Sequence, residues 1–271
     1  MAAATSAATI AFALCGAAAA QAAPPETFDP ARGCTVVGTK LGDILKGTEG
    51  DDVICGGGGV DTIYGYGGND VIYGDAGGDI IHAGAGDDVI YGGDGADIVY
   101  AEAGDDLVYG EAGNDTLKGG AGTDTLYGGD GADNLWGEDG DDLILPEGGS
   151  DTAHGGDGND RIVDTGAEKD TLIGDDGGDW IVAGGGNDTL KGEDGDDWLF
   201  GQDGDDAHYG GKGIDVCVGG SGKNTYCKCE WQGPTPFPGG TDFDTDGDGI
   251  PDGEEVINGT DPVTPDGVTP I

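Results

Sequence analysis

The sequence predicts an all-β fold, a flattened solenoid in which short parallel strands alternate with glycine-rich turns. Three observations predict it: a nine-residue period, an aspartate at a fixed place in almost every period, and a short apolar stretch after that aspartate. From Gly38 to Cys227 the chain reads as 21 consecutive units, of which 20 have nine residues and one, Asp164 to Ile173, has ten. Self-similarity at a fixed period is typical of repeat architectures.

The first six positions of each unit predict a turn. Position six is aspartate in 20 of the 21 units, and Asn224 replaces it in the last. Position four is glycine in 19 units, and the exceptions are Leu41 and Ala167. The pattern Gly-Gly-x-Gly-x-Asp favours a tight turn, because glycine adopts positive φ angles without steric cost.

The last three positions predict a short strand, since triplets such as Ile98 to Tyr100 are β-branched or aromatic and too short for a helix. Side chains alternate along a strand, so position eight faces one side and positions seven and nine face the other. Position eight is Leu, Ile or Val in 17 units. In the remaining units it is Ala153, His208, Cys217 and Tyr226. Two units therefore form one coil, the coils stack as two parallel sheets, and position eight fills the space between the sheets.

The charge of the chain is strongly negative. It has 55 Asp and Glu residues against 10 Lys and Arg residues, which gives a formal net charge of −45. We therefore expect no nucleic-acid partner and no binding to anionic membranes, since both require basic patches. A glycine-rich, highly charged composition is typical of disordered chains, but the regular period indicates order. Because the solenoid would stack its aspartates, we expect a cation between the turns.

The stretch GGDGADIVYAEAGDDLVYGEAGNDTLKGGAGTDTLYGG, Gly92 to Gly129, resembles the calcium-binding nonapeptide repeats of the RTX (repeats-in-toxin, hemolysin-type) family. The resemblance implies a right-handed parallel β-roll that holds multiple Ca²⁺ ions between neighbouring turns on the same side. The ligands would be position-six carboxylates and backbone carbonyls, which are hard oxygen ligands suited to Ca²⁺. Asp97 would share ions with Asp79 and Asp115. The aspartates with this expected role are Asp52, Asp61, Asp70, Asp79, Asp88, Asp97, Asp106, Asp115, Asp124, Asp133, Asp142, Asp151, Asp160, Asp179, Asp188, Asp197, Asp206 and Asp215.

The net charge agrees with many bound ions. Pairing each of the 21 turns with its second neighbour gives 19 possible sites, and 19 divalent ions would leave a net charge of about −7. We expect irregular sites at Leu41, at Ala167 and the rest of the ten-residue unit, and at Asn224. Acids at positions three and five, such as Asp94, Asp105 and Asp141, are expected to add to the negative field and not to bind the ion directly.

A second calcium motif follows a Pro/Gly linker at residues 228–241. The sequence DTDGDGIPDGEE, Asp244 to Glu255, matches the pattern D-x-D-x-D-G-x₅-E, in which alternate carboxylates converge on one ion and Gly249 makes the bend. Its expected ligands are Asp244, Asp246, Asp248, Ile250 through its carbonyl, Asp252 and Glu255. Pro and Gly precede the motif where an EF-hand would have a helix, so residues 242–271 resemble a bacterial thrombospondin type 3 repeat.

The N-terminus predicts export. Residues 1–22 read as a signal peptide, with an apolar segment from Ala8 to Ala20 and a cleavage site at Ala20 to Ala22. That segment is too short for a membrane span, and residues 23–37 form a short N-terminal segment. Secreted, extracellular proteins favour disulfides. We expect Cys34 to pair with Cys55, and Cys217 to pair with either Cys229 or Cys227.

No sequence pattern for catalysis stands out, so we predict that the chain is not an enzyme. We interpret His82, His154 and His208 as strand residues and not as ligands or bases. The expected function is that of a secreted protein that folds on binding calcium and has a structural or adhesive role at or outside the cell surface. The alternative is the non-catalytic repeat part, or a partner, of an exported hydrolase or toxin.

The position-nine aromatic residues have two interpretations. They either form cross-strand ladders that stiffen the sheets or make a surface for cell-surface or matrix components or for self-association. The residues concerned are Tyr64, Tyr73, Tyr91, Tyr100, Tyr109, Tyr127, Trp136, Phe200 and Tyr209.

Overall fold

A computed structural model describes residues 32–229 and the backbone of residues 231–232. The predicted signal peptide, most of the N-terminal segment, most of the Pro/Gly linker and the whole C-terminal calcium loop lie outside the described residues.

The described residues form 25 strands. In chain order these are β1 (Val36–Val37), β2 (Ile44–Lys46), β3 (Val53–Cys55), β4 (Thr62–Gly67), β5 (Val71–Ala76), β6 (Ile80–Ala85), β7 (Val89–Asp94), β8 (Ile98–Ala103), β9 (Leu107–Ala112), β10 (Thr116–Ala121), β11 (Thr125–Asp130), β12 (Asn134–Asp139), β13 (Leu143–Gly148), β14 (Thr152–Asp157), β15 (Arg161–Val163), β16 (Thr171–Asp176), β17 (Trp180–Val182), β18 (Gly185–Gly186), β19 (Thr189–Asp194), β20 (Trp198–Phe200), β21 (Asp203–Gly204), β22 (Ala207–Lys212), β23 (Val216–Val218), β24 (Thr225–Cys227) and β25 (Trp231–Gln232).

The strands stack into two long sheets in which every pairing is parallel. The twelve-strand sheet has the order β1-β3-β5-β7-β9-β11-β13-β15-β17-β20-β23-β25, and the eleven-strand sheet has the order β2-β4-β6-β8-β10-β12-β14-β16-β19-β22-β24. A two-strand sheet joins β18 to β21. The chain alternates between the long sheets, and Val71 pairs with Val89, eighteen residues on. The predicted solenoid with two units per coil is confirmed.

Most strands are longer than the predicted three residues. Strand β10, for example, runs from Thr116 through the first three positions of the next unit to Ala121. Gly120 and Ala121 pair in register with Glu138 and Asp139 of the next coil. The turn proper is therefore shorter than the sequence predicts, because the glycine-rich positions one to three also join the parallel ladder.

The core lies between the two long sheets and consists mainly of position-eight side chains, as predicted. The position-eight side chains from Ile54 to Leu199 are fully buried, among them Ile54, Ile63, Ile72, Ile81, Ile90, Leu117, Leu126, Leu135, Ile144, Ile162, Leu172, Ile181, Leu190 and Leu199. The ten-residue unit keeps this register, since Leu172 pairs with Ala153 on one side and with Leu190 on the other. Its extra residue is absorbed before the strand begins.

His208 is a polar side chain in this core. It occupies position eight between Leu190 and Tyr226, and its ring stacks on Tyr226 with centroids 5.0 Å apart. The ring approaches backbone groups of Val218 and Thr225, but neither ring nitrogen forms a hydrogen bond. Burial disfavours the charged imidazolium and lowers the pKa of His208 to about 4.

The substitution His208→Leu is expected to stabilise the roll. A buried imidazole without hydrogen-bond partners destabilises the folded state by about 1–3 kcal/mol. The substitution removes this imidazole and places at position eight an aliphatic residue of the kind that most units carry. Urea unfolding in saturating calcium measures the change, with Thr116→Leu, which adds a leucine at an outward-facing strand position, as control. A lower free energy of unfolding for His208→Leu would show that the ring makes a stabilising contact.

The outer faces of the sheets are less exposed than alternation alone predicts. At position nine, Cys55, Leu145, Ile173, Val182 and Phe200 are buried. For Phe200 the cause is its neighbours, since its ring lies 4.9 Å from that of Trp180 and 6.3 Å from that of Trp198. Outward-pointing side chains on stacked strands therefore cover one another.

Stacked rings run along the twelve-strand sheet. The rings of Tyr73, Tyr91, Tyr109 and Tyr127 follow one another with centroids 4.8–5.0 Å apart and interplanar angles of 4–12°. The guanidinium of Arg32 lies 4.2 Å above the Tyr73 ring. The predicted cross-strand ladder is present.

Acids at position two alternate with glycine from coil to coil between Gly84 and Gly156 of the eleven-strand sheet, whereas Asp175 and Glu193 lie directly opposite one another. Glu102 pairs in register with Gly84 and Gly120, and Glu138 with Gly120 and Gly156. Between Gly84 and Gly156 this spacing keeps like charges from lying directly opposite one another. Basic residues at position nine of the preceding coil pair with these acids, as His82 does with Glu102 at 3.1 Å and Lys118 with Glu138 at 2.6 Å.

Two disulfides hold the first and last described coils. Cys34 bonds to Cys55, as predicted, and Cys217 bonds to Cys229, which is one of the two partners expected. Cys227 is a free, exposed thiol on β24.

Candidate metal centres in the turns

The position-six aspartates end the turns with their side chains directed into the roll. Their exposed fractions are 0–2% from Asp61 to Asp215, although carboxylates are rarely buried without a partner. The pattern follows from alternation, because position six and the core position eight lie on the same side of the chain. Each coil thus carries two inward carboxylates, one for each turn.

One oxygen of each carboxylate is used to join successive coils. The backbone N–H of Asp79 donates to Oδ1 of Asp97 at 2.6 Å, and the N–H of Asp97 donates to Oδ1 of Asp115 at 2.8 Å. The same bond repeats along both edges of the roll and forms two ladders. One ladder runs through Asp43, Asp61, Asp79, Asp97, Asp115, Asp133, Asp151, Asp170, Asp188, Asp206 and Asn224, and the other through Asp52, Asp70, Asp88, Asp106, Asp124, Asp142, Asp160, Asp179, Asp197 and Asp215.

The second oxygen faces the inside of the turn. Oδ2 is buried and accepts no hydrogen bond in Asp61, Asp70, Asp79, Asp88, Asp97, Asp106, Asp115, Asp124, Asp133, Asp142, Asp151, Asp160, Asp170, Asp179, Asp188, Asp197 and Asp206. A buried charged oxygen without a partner is costly. A row of such atoms therefore fits bound cations.

Glycine at position one leaves room beside this oxygen. A Cβ placed on Gly92 would lie 2.8 Å from Oδ2 of Asp97 and 2.8 Å from the carbonyl oxygen of Gly110 in the next coil. A Cβ on Gly128 would likewise lie 2.8 Å from Oδ2 of Asp133 and 2.5 Å from the carbonyl oxygen of Pro146. Carboxylate and carbonyl oxygens that converge on one small space are ligands of the type that Ca²⁺ takes.

Backbone oxygens must supply much of any ligand set in these turns. Among residues 32–229, no group of three or more His, Cys, Asp or Glu side chains is close enough together to hold a metal ion. The aspartates of one ladder are separated by whole coils, so few carboxylates reach any one point. This agrees with the expectation that carbonyls of the glycine-rich turn complete the coordination.

Burial and mutual repulsion raise the pKa values of the ladder carboxyl groups. The pKa rises to about 8 for Asp115 and to about 7 for Asp142, mainly because burial disfavours the charged form and also because of neighbouring carboxylates. Asp97 follows at about 6. Asp52 differs, since hydrogen bonds from Thr48 lower its pKa.

The calcium-free roll is therefore expected to become more stable as the pH falls. A carboxyl group whose pKa is higher in the folded state stabilises the fold at low pH, and that stabilisation is lost as the pH rises through the folded pKa, here about 6 to 8. In chelator, the circular dichroism signal of β-structure should be larger at pH 5 than at pH 8. Equal signals at both values would contradict the burial of ionisable carboxyl groups in the turns.

All predicted ligand aspartates from Asp52 to Asp215 lie in the two rows, but the prediction left out Asp43 of the first unit and Asp170 of the ten-residue unit. Asp170 is 1% exposed, donates to Oδ1 of Asp188 at 2.9 Å and accepts from Asp151 at 2.7 Å. Asp170 directly precedes the strand Thr171–Asp176, as the other ladder aspartates precede their strands, and this position in the sequence could have identified it. Asn224 keeps the ladder bond, because its Oδ1 accepts from the N–H of Asp206 at 2.8 Å.

Position-five side chains make direct bonds of their own. Oδ1 of Asp105 accepts from the N–H of Thr123 at 2.8 Å, and Oδ1 of Asp141 accepts from Asn159 at 2.8 Å. These bonds point to the following coil, opposite to the ladder bonds of position six. The acids at position five thus hold coils together in addition to contributing charge.

A parallel roll with rows of inward carboxylates defines a cation-binding β-roll, and the comparison with protein families agrees. The model of the RTX calcium-binding nonapeptide repeat (4 copies) matches residues 37–72, 73–108, 109–144, 147–181, 162–190, 173–207, 182–217 and 192–226. The chain belongs to this family and is a calcium-binding repeat protein that takes multiple Ca²⁺ ions. No curated protein matches the chain.

The C-terminal motif also has a family match. The model of the bacterial TSP3 repeat matches residues 244–265, which agrees with the resemblance seen in the sequence. The expected ligands of this loop, from Asp244 to Glu255, lie outside the described residues.

Within the part of the chain that the structure describes, no helix has the length and apolar character needed to cross a bilayer.

Proposed function

We propose that the chain is a secreted, non-enzymatic protein that folds when calcium enters its turns and then serves a structural or adhesive role at or outside the cell surface. The observation that carries the proposal is the row of buried Oδ2 atoms without hydrogen-bond partners. Without a cation these carboxylates repel one another inside the roll. The folded state is therefore expected to depend on the ion.

Each turn contributes to the ion site in a defined way. The position-six aspartates from Asp61 to Asp215 hold the ion with Oδ2, while Oδ1 stays in the ladder. Carbonyl oxygens of the glycine-rich turns, such as that of Gly110 beside Asp97, provide further ligands. A bound Ca²⁺ supplies the positive charge that these oxygens require. Metal-coupled folding of this kind converts binding free energy into folding free energy.

Export is supported by two features of the chain. The first 22 residues have the pattern of a signal peptide. Two disulfides, Cys34–Cys55 and Cys217–Cys229, fit an oxidising compartment.

The adhesive role is supported by the stacked tyrosines Tyr73, Tyr91, Tyr109 and Tyr127 on one face of the twelve-strand sheet. Stacked rings present a rigid, regular surface at little cost in side-chain entropy. Tyrosine is also among the residues enriched at protein interfaces.

A binding assay with cell envelopes tests this role. The purified full chain is expected to bind in calcium and to be released by chelator. Tyr91→Thr with Tyr109→Thr should weaken binding while keeping strand propensity. The control pair, Tyr64→Thr with Tyr100→Thr on the eleven-strand sheet, should not. Equal binding by both pairs would exclude the tyrosine row, and hydrolase activity or a captured catalytic partner would favour the alternative of a hydrolase or toxin component.

A further inference from the structure

The first two turns differ from the later nine-residue turns that carry Asp61 through Asp206. Thr48, at position two of the second unit, donates from its N–H at 2.7 Å and from its Oγ1 at 2.9 Å to Oδ2 of Asp52. Thr39 does the same in the first unit, where both donors lie 2.8 Å from Oδ2 of Asp43. In the turns of Asp61 to Asp206, Oδ2 accepts no hydrogen bond. In Asp43 and Asp52, Oδ2 accepts two hydrogen bonds.

The remaining oxygen of Asp52 is also engaged. Its Oδ1 accepts a hydrogen bond from Oγ1 of Thr35 at 3.0 Å. Thr48 further closes its own turn, because its Oγ1 also accepts a hydrogen bond from the N–H of Gly50 at 3.2 Å. The second turn thus uses threonine hydroxyls where later turns have open oxygens.

Position two separates the two kinds of turn. From the third unit onward it is glycine, an acid, Tyr66, Thr165 or Gln202. Apart from Thr165, those residues with side chains have positive φ, for example Glu102 at 83°. Thr165 lies in the ten-residue unit, where the extra residue shifts it relative to Asp170, and Oδ2 of Asp170 has no partner. Threonine therefore closes a turn only when it stands four residues before the aspartate.

We infer that the residue at position two decides which turns take calcium, and that Thr39 and Thr48 exclude the ion from the first two turns. The inference rests on the proposed calcium role of the other aspartates. Its consequence is that the ion array begins at Asp61 and Asp70. The N-terminal end of the roll is instead closed by threonine hydrogen bonds and the Cys34–Cys55 disulfide. Asp52 is then a structural acceptor and not a ligand.

Counting bound calcium in the full chain tests the inference. Native mass spectrometry of the chain saturated with Ca²⁺ gives the number of ions for the wild type, Asp52→Asn and Asp97→Asn. We expect Asp52→Asn to bind as many ions as the wild type and Asp97→Asn to bind fewer. The C-terminal loop contributes equally to all three counts. A circular dichroism spectrum at saturation confirms that each variant is folded.

A variant that is expected to bind an additional calcium ion provides a second test. Thr48→Gly restores the pattern Gly-Gly-x-Gly-x-Asp from Gly47 to Asp52 and is expected to bind one ion more than the wild type. Thr116→Gly, at a surface strand position, is the matched control and should bind the wild-type number. Loss of an ion in Asp52→Asn, or no gain in Thr48→Gly, would overturn the inference while leaving calcium binding by the roll intact. A wild-type chain without bound ions would instead overturn the proposed function.

Discussion

Replacing Asp115 by asparagine is expected to change the free energy of unfolding in opposite directions with and without calcium. Asparagine keeps the ladder, as Asn224 does by accepting from the N–H of Asp206 at 2.8 Å, but it lacks the second charged oxygen. In calcium at about 100 times its dissociation constant, loss of one ion is expected to cost about 2.7 kcal/mol. In chelator, the same change removes a buried, partnerless carboxylate and should stabilise the roll.

Two titrations measure this reversal. Urea unfolding in saturating calcium gives the loss, and the osmolyte concentration needed to fold the chain in chelator gives the gain, since osmolytes favour buried surface. Asp139→Asn, an exposed acid at position three, removes the same charge outside the turn and should have little effect in either condition. Destabilisation by Asp115→Asn in both conditions would mean that its carboxylate acts through protein contacts and not through calcium.

The substitution Gly113→Ala is expected to prevent close stacking of the central coils. Gly113 has a φ of 155°, and a Cβ there would overlap the carbonyl oxygen of Gly95 in the preceding coil. Backbone strain of this kind costs about 1–3 kcal/mol, and overpacking adds about 1–3 kcal/mol. Since the bond from Gly113 N–H to the carbonyl oxygen of Asp130 would also be disturbed, we expect a large fall in the unfolding midpoint.

Gly50→Ala is the matched control for this steric effect. Gly50 also occupies position four, but it belongs to the first coil, and a Cβ there would have no atom within 4 Å. Thermal unfolding in calcium should therefore separate the two alanine variants clearly. Equal effects would show that the loss comes from the glycine position itself and not from the coil stacked on it.

The repeat predicted the architecture because its period couples local structure to long-range pairing. Once position eight faces inward in every unit, two units must form a coil, and Ile54, Ile72 and Ile90 must stack. The disulfide between Cys34 and Cys55 followed from their location at the first coil. These features depend on the alternation of side chains along each strand and on the nine-residue period, both of which can be read from the sequence.

Other features depend on contacts between coils that no single unit reveals. The burial of Phe200 arises from the rings of Trp180 and Trp198 in the same patch. The carboxylate of Asp52 accepts two hydrogen bonds from Thr48. In the sequence, Thr48 only replaces a glycine of the repeat pattern, so these bonds could not be predicted. Asp170 kept its register because its turn, and not its strand, absorbed the extra residue. The repeat pattern predicts the structure that all units share, but it does not predict the contacts made by residues that depart from the pattern.

Circular dichroism of the oxidised full chain during a calcium titration at pH 8 tests the central claim most directly. At this pH the carboxyl groups of Asp97 and Asp142, whose pKa values burial raises to about 6 and about 7, are mostly ionised, so protons compete less with the ion than at lower pH. We expect little β-structure in chelator and a cooperative rise in the β signal as calcium is added, reversed by renewed chelation. A complete β signal in excess chelator, unchanged by calcium, would contradict calcium-coupled folding.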